Sequence, residues 1–260
     1  MAILAVKSLL RFVNMSVVFH GDESLDKDDM ELIQRHIKNA KVYSIEDADK
    51  IAKETSEQIF ELRKNIGELF QLDQKFEKQK KAWALKVLDF HLLSSAPKVI
   101  VLDSDTLFFK PPTQIIEWTR SSTTENFYAI PVNPNLKIDQ QSYSAIFPNA
   151  SFLSRFNGGL FGFNKNMITL ESVIDIIETL KVNRDYPVYG DECIWRLVFA
   201  HTKTVELSFD EYPLIGSKES FNLYKSKDAV KYMHFLLKHR QGVYAKSIDQ
   251  VVDEINAQTT

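Results

Sequence analysis

Lys98-Val99-Ile100-Val101-Leu102-Asp103-Ser104-Asp105 is the stretch on which the reading of this chain turns. It follows a helical segment, Ala82 to Leu93, and an Ala96-Pro97 break. Its four aliphatic residues form a continuous apolar run, which after a helix predicts a buried parallel strand. Two carboxylates then stand where strand gives way to loop, the edge at which open α/β sheets bind their ligands. Placed one residue apart, they can share a hard cation that also takes oxygens from a diphosphate. In a dry cleft such a pair is costly unless a positive charge neutralises it. The three residues Asp-x-Asp also recur by chance, and they can simply cap a turn or a helix.

Outward from that point, helix and strand patterns alternate. Upstream, residues 2 to 12 read as a helix, Ser16 to Phe19 as a short strand ending at His20-Gly21-Asp22, Asp26 to Lys38 as a helix and Val42 to Ile45 as a strand. A charged helical layer extends from Asp47 to about Ser95. Downstream come strands at Thr106 to Phe109 and Phe127 to Pro131, an irregular polar stretch from Asn133 to Arg155, and a strand at Leu160 to Phe163. Helices at Met167 to Leu180 and Cys193 to Ala200, strands near Thr204 to Leu207 and Val230 to Phe235, and a last helix from Ser247 to Asn256 follow. This order predicts one α/β domain spanning residues 1–260, with a mainly parallel central sheet flanked by helices.

The bulk composition narrows the function. With 260 residues, 44% hydrophobic and 26% charged, the chain can bury a large core. Lys and Arg total 32 against 35 acidic residues, so the formal net charge of −3 indicates no affinity for nucleic acid. A single cysteine, Cys193, excludes an internal disulfide framework and agrees with a reducing compartment. The apolar opening is interrupted by Lys7 and Arg11, too soon for a transmembrane span of about 20 residues, and it lacks a signal peptide's layout. A cytoplasmic protein is the expectation.

Three further segments carry chemistry. In Phe156-Asn157-Gly158-Gly159-Leu160-Phe161 the paired glycines let backbone approach a ligand closely, and the Asn offers a donor and an acceptor. A glycine turn entering a strand is the plainer reading. Gly190-Asp191-Glu192 opens a helix, where acidic residues are favoured by the dipole whatever else they do. Met233-His234-Phe235 presents an imidazole, a competent metal ligand, with Lys238, His239 and Arg240 close behind as cations suited to a diphosphate. Tyr143 and Phe147, in the irregular stretch, offer faces on which sugar rings could stack, and that stretch is a candidate acceptor-side loop or lid.

Taken together these segments resemble the GT-A glycosyltransferases, in particular the glycogenin-like and related families, from about Val6 to Tyr244. The resemblance implies a metal-dependent transfer of sugar from a nucleoside-diphosphate sugar, a UDP-sugar foremost, to a hydroxyl on a glycan, lipid-linked sugar or protein. It implies that Asp103, Asp105 and His234 hold Mn²⁺ or Mg²⁺. Asn157, Gly158 and Gly159 would line the donor-sugar pocket, Lys86, Lys238 and Arg240 would assist at the phosphates, and Asp191 and Glu192 would lie beside the reacting sugar. It also implies a first strand with a base-binding loop ahead of a helix like Leu4 to Phe12, whereas the sequence opens at that helix. Two other readings compete. A haloacid-dehalogenase-like phosphatase would use Asp103 as nucleophile and Asp105 as acid/base, but its pattern wants Thr or Val at position 107, which is Leu. A transferase fold that has lost catalysis would bind a glycan or a partner protein.

Overall fold

The computed structural model describes residues 1–131, 140–215, 222, 229–236 and 240–257. The chain opens with α1 (Ala2–Leu10), β1 (Val18–His20), α2 (Lys27–His36), β2 (Lys41–Tyr43), α3 (Ile45–Thr55), α4 (Glu57–Asn65) and α5 (Glu77–Leu92). There follow β3 (Lys98–Leu102), β4 (Thr106–Phe108), α6 (Thr113–Arg120), β5 (Asn126–Ala129) and α7 (Gln140–Ile146). The second half holds β6 (Asn157–Asn164), α8 (Leu170–Val182), α9 (Asp191–Ala200), β7 (Thr204–Glu206), β8 (Leu214–Ile215), β9 (Tyr232–Phe235) and a C-terminal helix, Ala245–Ala257. Local chemistry starts the charged helices where they start. Asp26 accepts the N–H of Asp29 at the head of α2, and Ser44 and Asp47 form a reciprocal capping box on α3.

The α/β architecture is as expected, and its strand pairing is mixed. Three sheets form among the described residues, with orders β3-β6-β5-β7, β4-β9-β8 and β1-β2. The pairs β1/β2, β5/β7 and β8/β9 are parallel, while β3/β6, β5/β6 and β4/β9 are antiparallel. The run Val99 to Leu102 therefore lies antiparallel to β6, against the expectation of a parallel strand. An apolar run reports burial and says nothing about the direction of its neighbour.

Strand β6 is the axis of the core, with all eight residues buried. Phe161 and Phe163 pack against Trp195 with ring centroids 5.0 and 5.1 Å apart, and Phe161 meets Phe199 edge-on. Helix α9 is thereby held flat on the sheet. Two expectations change here. Asn157, Gly158 and Gly159 belong to the strand itself, and the segment Asn133 to Arg155 contributes helix α7 and buried aromatics. Tyr143 and Phe147 are buried in the main core, where Phe147 meets Tyr186, so neither presents a face to a sugar. Residues 132–139 of that segment lie outside the described residues.

Charges pin the helical layer to the sheets. Arg63 on α4 donates to both carboxylate oxygens of Asp89 on α5, at 2.6 and 2.9 Å, and also to Asp49 on α3. Arg63 and Asp89 are both buried, so the network fixes how three helices meet; removing one partner would leave the other charge stranded. Arg11 performs a similar service elsewhere, donating to the Phe108 carbonyl at 2.6 Å and pairing with Glu254 of the C-terminal helix.

His91 ties α5 to the core. Its ring stacks on Phe163 and Trp195, and Nε2 lies 2.6 Å from the Ile168 carbonyl, so Nε2 carries the proton. Nδ1 is buried without a partner. Burial lowers the His91 pKa to about 4, outweighing the help of the Ile168 carbonyl. The folded state thus holds a neutral ring that the unfolded chain protonates below about pH 6.5. Its contribution is complete above that pH and is lost as pH falls from about 6.5 towards 4. In urea titrations the His91 contribution should fall by about 2 kcal/mol between pH 7 and pH 5. His91→Gln, which can still donate to Ile168, should flatten that part of the slope; an unchanged slope would refute the assignment.

Candidate functional site

The site forms where two sheets abut. Asp103 leaves β3 with its N–H bonded to the Gly159 carbonyl on β6 at 3.0 Å, and Asp105 precedes β4 with its carbonyl accepting the N–H of Phe235 at 2.9 Å. Between them the Thr106 hydroxyl donates to the Asp103 carbonyl at 2.7 Å and closes the turn. Strand β9 pairs with β4 so that His234 stands opposite Thr106. Asp103, Asp105 and His234 consequently offer ligand atoms within 4.8 Å of one another. Asp105 and His234 are 2% and 4% exposed, which puts a carboxylate and an imidazole in a dry setting.

The orientation of His234 is over-determined. Its Nδ1 is 2.9 Å from Oδ1 of Asn157, an oxygen that also accepts the Gly159 N–H at 2.9 Å. An amide oxygen can only accept, so Nδ1 carries a proton and the ring is held with Nε2 turned the other way. Nε2 lies 3.2 Å from Asp105 and 3.8 Å from Asp103. A proton on Nε2 would pair with these carboxylates, and in its place a metal ion could be shared among the three groups. The donor set of two carboxylates and one imidazole suits a divalent ion, and Asn157 fills the role of the outer hydrogen-bond partner that sets such a histidine's tautomer. Gly159 supplies the room: a Cβ there would lie 2.3 Å from Cε1 of His234.

A second charged layer adjoins the first. Lys86, one turn before Asp89 on α5, is 2.5 Å from Oδ1 of Asp103. Burial disfavours its charge, but the carboxylates of Asp103, Asp191 and Asp105 outweigh that and raise its pKa, so Lys86 stays protonated. Asp191 and Glu192 occupy the first turn of α9, facing the same space. Burial pushes the Asp191 carboxyl up to about 7, with Lys86 opposing the shift and Asp103 and Glu192 adding to it. Burial also raises Glu192, against the pull of the Gly158 N–H that its Oε2 accepts at 3.1 Å. Gly190 ahead of them has φ +149°, a region open chiefly to glycine, and a Cβ there would approach Trp83 to 3.0 Å.

Of the residues singled out from sequence, Asp103, Asp105, His234, Asn157, Gly158, Gly159, Lys86, Asp191 and Glu192 come together around this point. Asn157 and Gly159 serve it from beneath His234. Lys238 lies outside the described residues, and so does the side chain of Arg240. Sequence reasoning missed Asp89 and its partner Arg63, which lock the helix carrying Lys86. Only the 26-residue separation between them links the pair in the sequence, and no motif marks it.

This is the fold of the GT-A glycosyltransferases, an α/β scaffold with a carboxylate-rich centre at the end of a core strand. Mouse xyloside xylosyltransferase 1, solved in its apo form, is similar over 92% of this chain and 92% of its own, with a TM-score of 0.58 at 14% identity. The galactosyltransferase LgtC, solved with donor and acceptor sugar analogues, is similar over 97% of this chain and 91% of its own, with a TM-score of 0.58 at 13% identity. The glycosyltransferase GlyE of Streptococcus pneumoniae is similar over 99% of this chain and 61% of its own, with a TM-score of 0.52 at 14% identity. No protein-family model and no curated protein sequence matches the chain. Among the described residues no helix is long and apolar enough to cross a membrane.

Gly159→Ala tests the geometry directly. The added methyl group has to displace the His234 ring or the strand, and such overpacking should cost about 1–3 kcal/mol in denaturant unfolding. Any divalent-metal binding measured by calorimetry should weaken in parallel. Wild-type stability in the variant would show that His234 does not rest against Gly159.

Proposed function

We propose that the chain is a metal-dependent glycosyltransferase that moves a sugar from a nucleoside-diphosphate sugar to a hydroxyl acceptor. One observation carries this reading: Nε2 of His234, oriented by Asn157, lies with the carboxylates of Asp103 and Asp105 in a donor set suited to a divalent cation. The fold shared with xylosyl- and galactosyltransferases supports it. Asp105 and His234 would hold Mn²⁺ or Mg²⁺ directly, with Asp103 holding the metal or the ribose. When bound, the ion would stabilise negative charge on the departing diphosphate.

The chain's own groups supply the rest. Lys86, charged and bonded to Asp103, places a cationic donor at the edge of the diphosphate site, and Lys238 and Arg240 are candidates to join it. Asp191, which faces Lys86, and Glu192, both held on the first turn of α9, are the candidates to orient the donor sugar or to take the acceptor's proton. Gly158 holds Glu192 in place through its N–H. The single cysteine suits a reducing, cytoplasmic setting.

Nucleoside diphosphates should raise the melting temperature in the presence of Mn²⁺ and much less in its absence. Asp105→Asn, which keeps the side chain's shape, should remain folded by circular dichroism. It should lower nucleotide-sugar turnover by on the order of 100-fold or more, since a lost ligand costs at least as much as a lost outer partner, and it should remove the Mn²⁺-dependent stabilisation. Full activity in the variant would sink the metal assignment. Phosphate-ester hydrolysis without nucleotide would favour the phosphatase reading.

A further inference from the structure

The loop that delivers Asp191 and Glu192 to the site is fastened by a residue that stands outside it. Between α8 and α9, Tyr186 and Val188 are buried while Arg184 and Asp185 are exposed. Gln71, from the segment joining α4 to α5, makes three hydrogen bonds to this loop. Its main-chain N–H donates to the Val188 carbonyl at 2.7 Å. Its side-chain Nε2 donates to the Arg184 carbonyl at 3.0 Å and to the Tyr186 carbonyl at 3.1 Å. An amide NH₂ carries two donors, and here both are used on one turn of main chain. That turn is closed on itself by the Tyr186 N–H, which donates to the Asn183 carbonyl at 3.0 Å.

The path from this strap to the site is short. Only Tyr189 and Gly190 separate Val188 from Asp191, and both are tied into the helix start. The Tyr189 N–H donates to the sulfur of Cys193 at 3.5 Å, and the Gly190 carbonyl accepts the Cys193 N–H at 3.2 Å. Gly190 also lies against Trp83, one turn before Lys86 on α5. Gln71 is itself firmly set. Phe70 beside it is buried in the main core, and the Phe70 N–H donates to the Gly67 carbonyl at 3.0 Å. Trp195 and Phe199 hold the later turns of α9 on the sheet, so the loop is what remains to place its first turn.

We propose that Gln71 is a positioning residue, whose side-chain amide sets, through residues 184–188, where Asp191 and Glu192 stand in the site. The proposal rests on reading that site as one of sugar transfer. Among the described residues Gln71 bonds to none of the candidate site residues, so it acts through the loop alone. Its role is separable from folding. Gln71 is exposed, whereas Tyr186 and Val188 keep the loop on the core by apolar burial, so loss of the amide leaves the fold and frees the turn. It is also separable from metal and diphosphate binding, because Asp103, Asp105 and His234 are placed by β3, β4 and β9. Reaction geometry tolerates little displacement, so the effect falls on the chemical step.

Two variants of the full chain test it. Gln71→Met keeps the length and loses both side-chain donors; Gln71→Lys keeps donors on a chain of similar reach. With Mn²⁺ and UDP-glucose, UDP-galactose or UDP-xylose, whichever the wild type turns over, kcat for UDP release should fall about tenfold in Gln71→Met. UDP affinity by calorimetry and the urea midpoint should stay close to wild type, and Gln71→Lys should recover most of kcat. Amide exchange at Cys193, followed by NMR, should quicken in Gln71→Met, with Phe161 on β6 unchanged. Wild-type kcat and exchange in Gln71→Met would overturn the proposal. So would a parallel fall of kcat, UDP affinity and urea midpoint, which marks a merely structural residue. If the wild type turns over none of the three sugars, the transfer reading fails by itself. Exchange at Cys193 then decides alone: faster exchange in Gln71→Met supports the strap, and unchanged exchange refutes it.

Discussion

The placement of His234 Nε2 against two carboxylates is the constraint around which the site is arranged. It exists because Asn157 holds the opposite nitrogen in its protonated form, and because Gly159 leaves space for the ring. Neither condition can be relaxed alone. A side chain at 159 would collide with the ring, and a donor in place of the Asn157 oxygen would leave the Nδ1 proton without its acceptor. Asn157 is in turn placed by β6, whose eight residues are all buried. The rigidity of the site is thus borrowed from the aromatic core beneath it.

Charge balance explains the second layer. Asp103, Asp105, Asp191 and Glu192 gather in a half-buried space that Lys86 enters from α5. Burial lifts Asp191 and Glu192 towards their neutral forms, and neighbouring carboxylates add to the shift, since one ammonium cannot neutralise four carboxyls. Lys86 is in turn held in register by the network of Arg63 with Asp89 and Asp49, one turn along the same helix. The buried ion network thus acts on the site at a distance, by fixing where the helix carrying the lysine can sit.

Much of this was legible in the sequence, and the limits have physical causes. The apolar run ending in Asp103 and Asp105 marked the end of a core strand, and the glycine pair, the acidic helix start and His234 were each readable from local chemistry. Burial and periodicity are local properties, so they carried through. Strand direction depends on which distant segment supplies the neighbour, and Val99 to Leu102 gave no hint that β6 would run antiparallel. Tyr143 and Phe147 misled for a related reason: aromatics in an unpatterned stretch suit a binding loop and a core insertion equally well, and only packing decides. The union of Arg63 with Asp89 left no trace at all, because ion pairs between helices have no spacing rule.

The position of the three candidate ligands has a consequence beyond chemistry. Asp103 ends a strand of one sheet, while Asp105 leads into β4 and His234 belongs to β9 of another. Between the sheets near this point the main-chain link is the turn Asp103-Ser104-Asp105, clasped by Thr106. A cation shared by these side chains would therefore join the two sheets as well as neutralise the site, since binding that requires the folded arrangement stabilises the fold that makes it. Without such an ion the repulsion between the carboxylates acts to open the seam where the sheets abut.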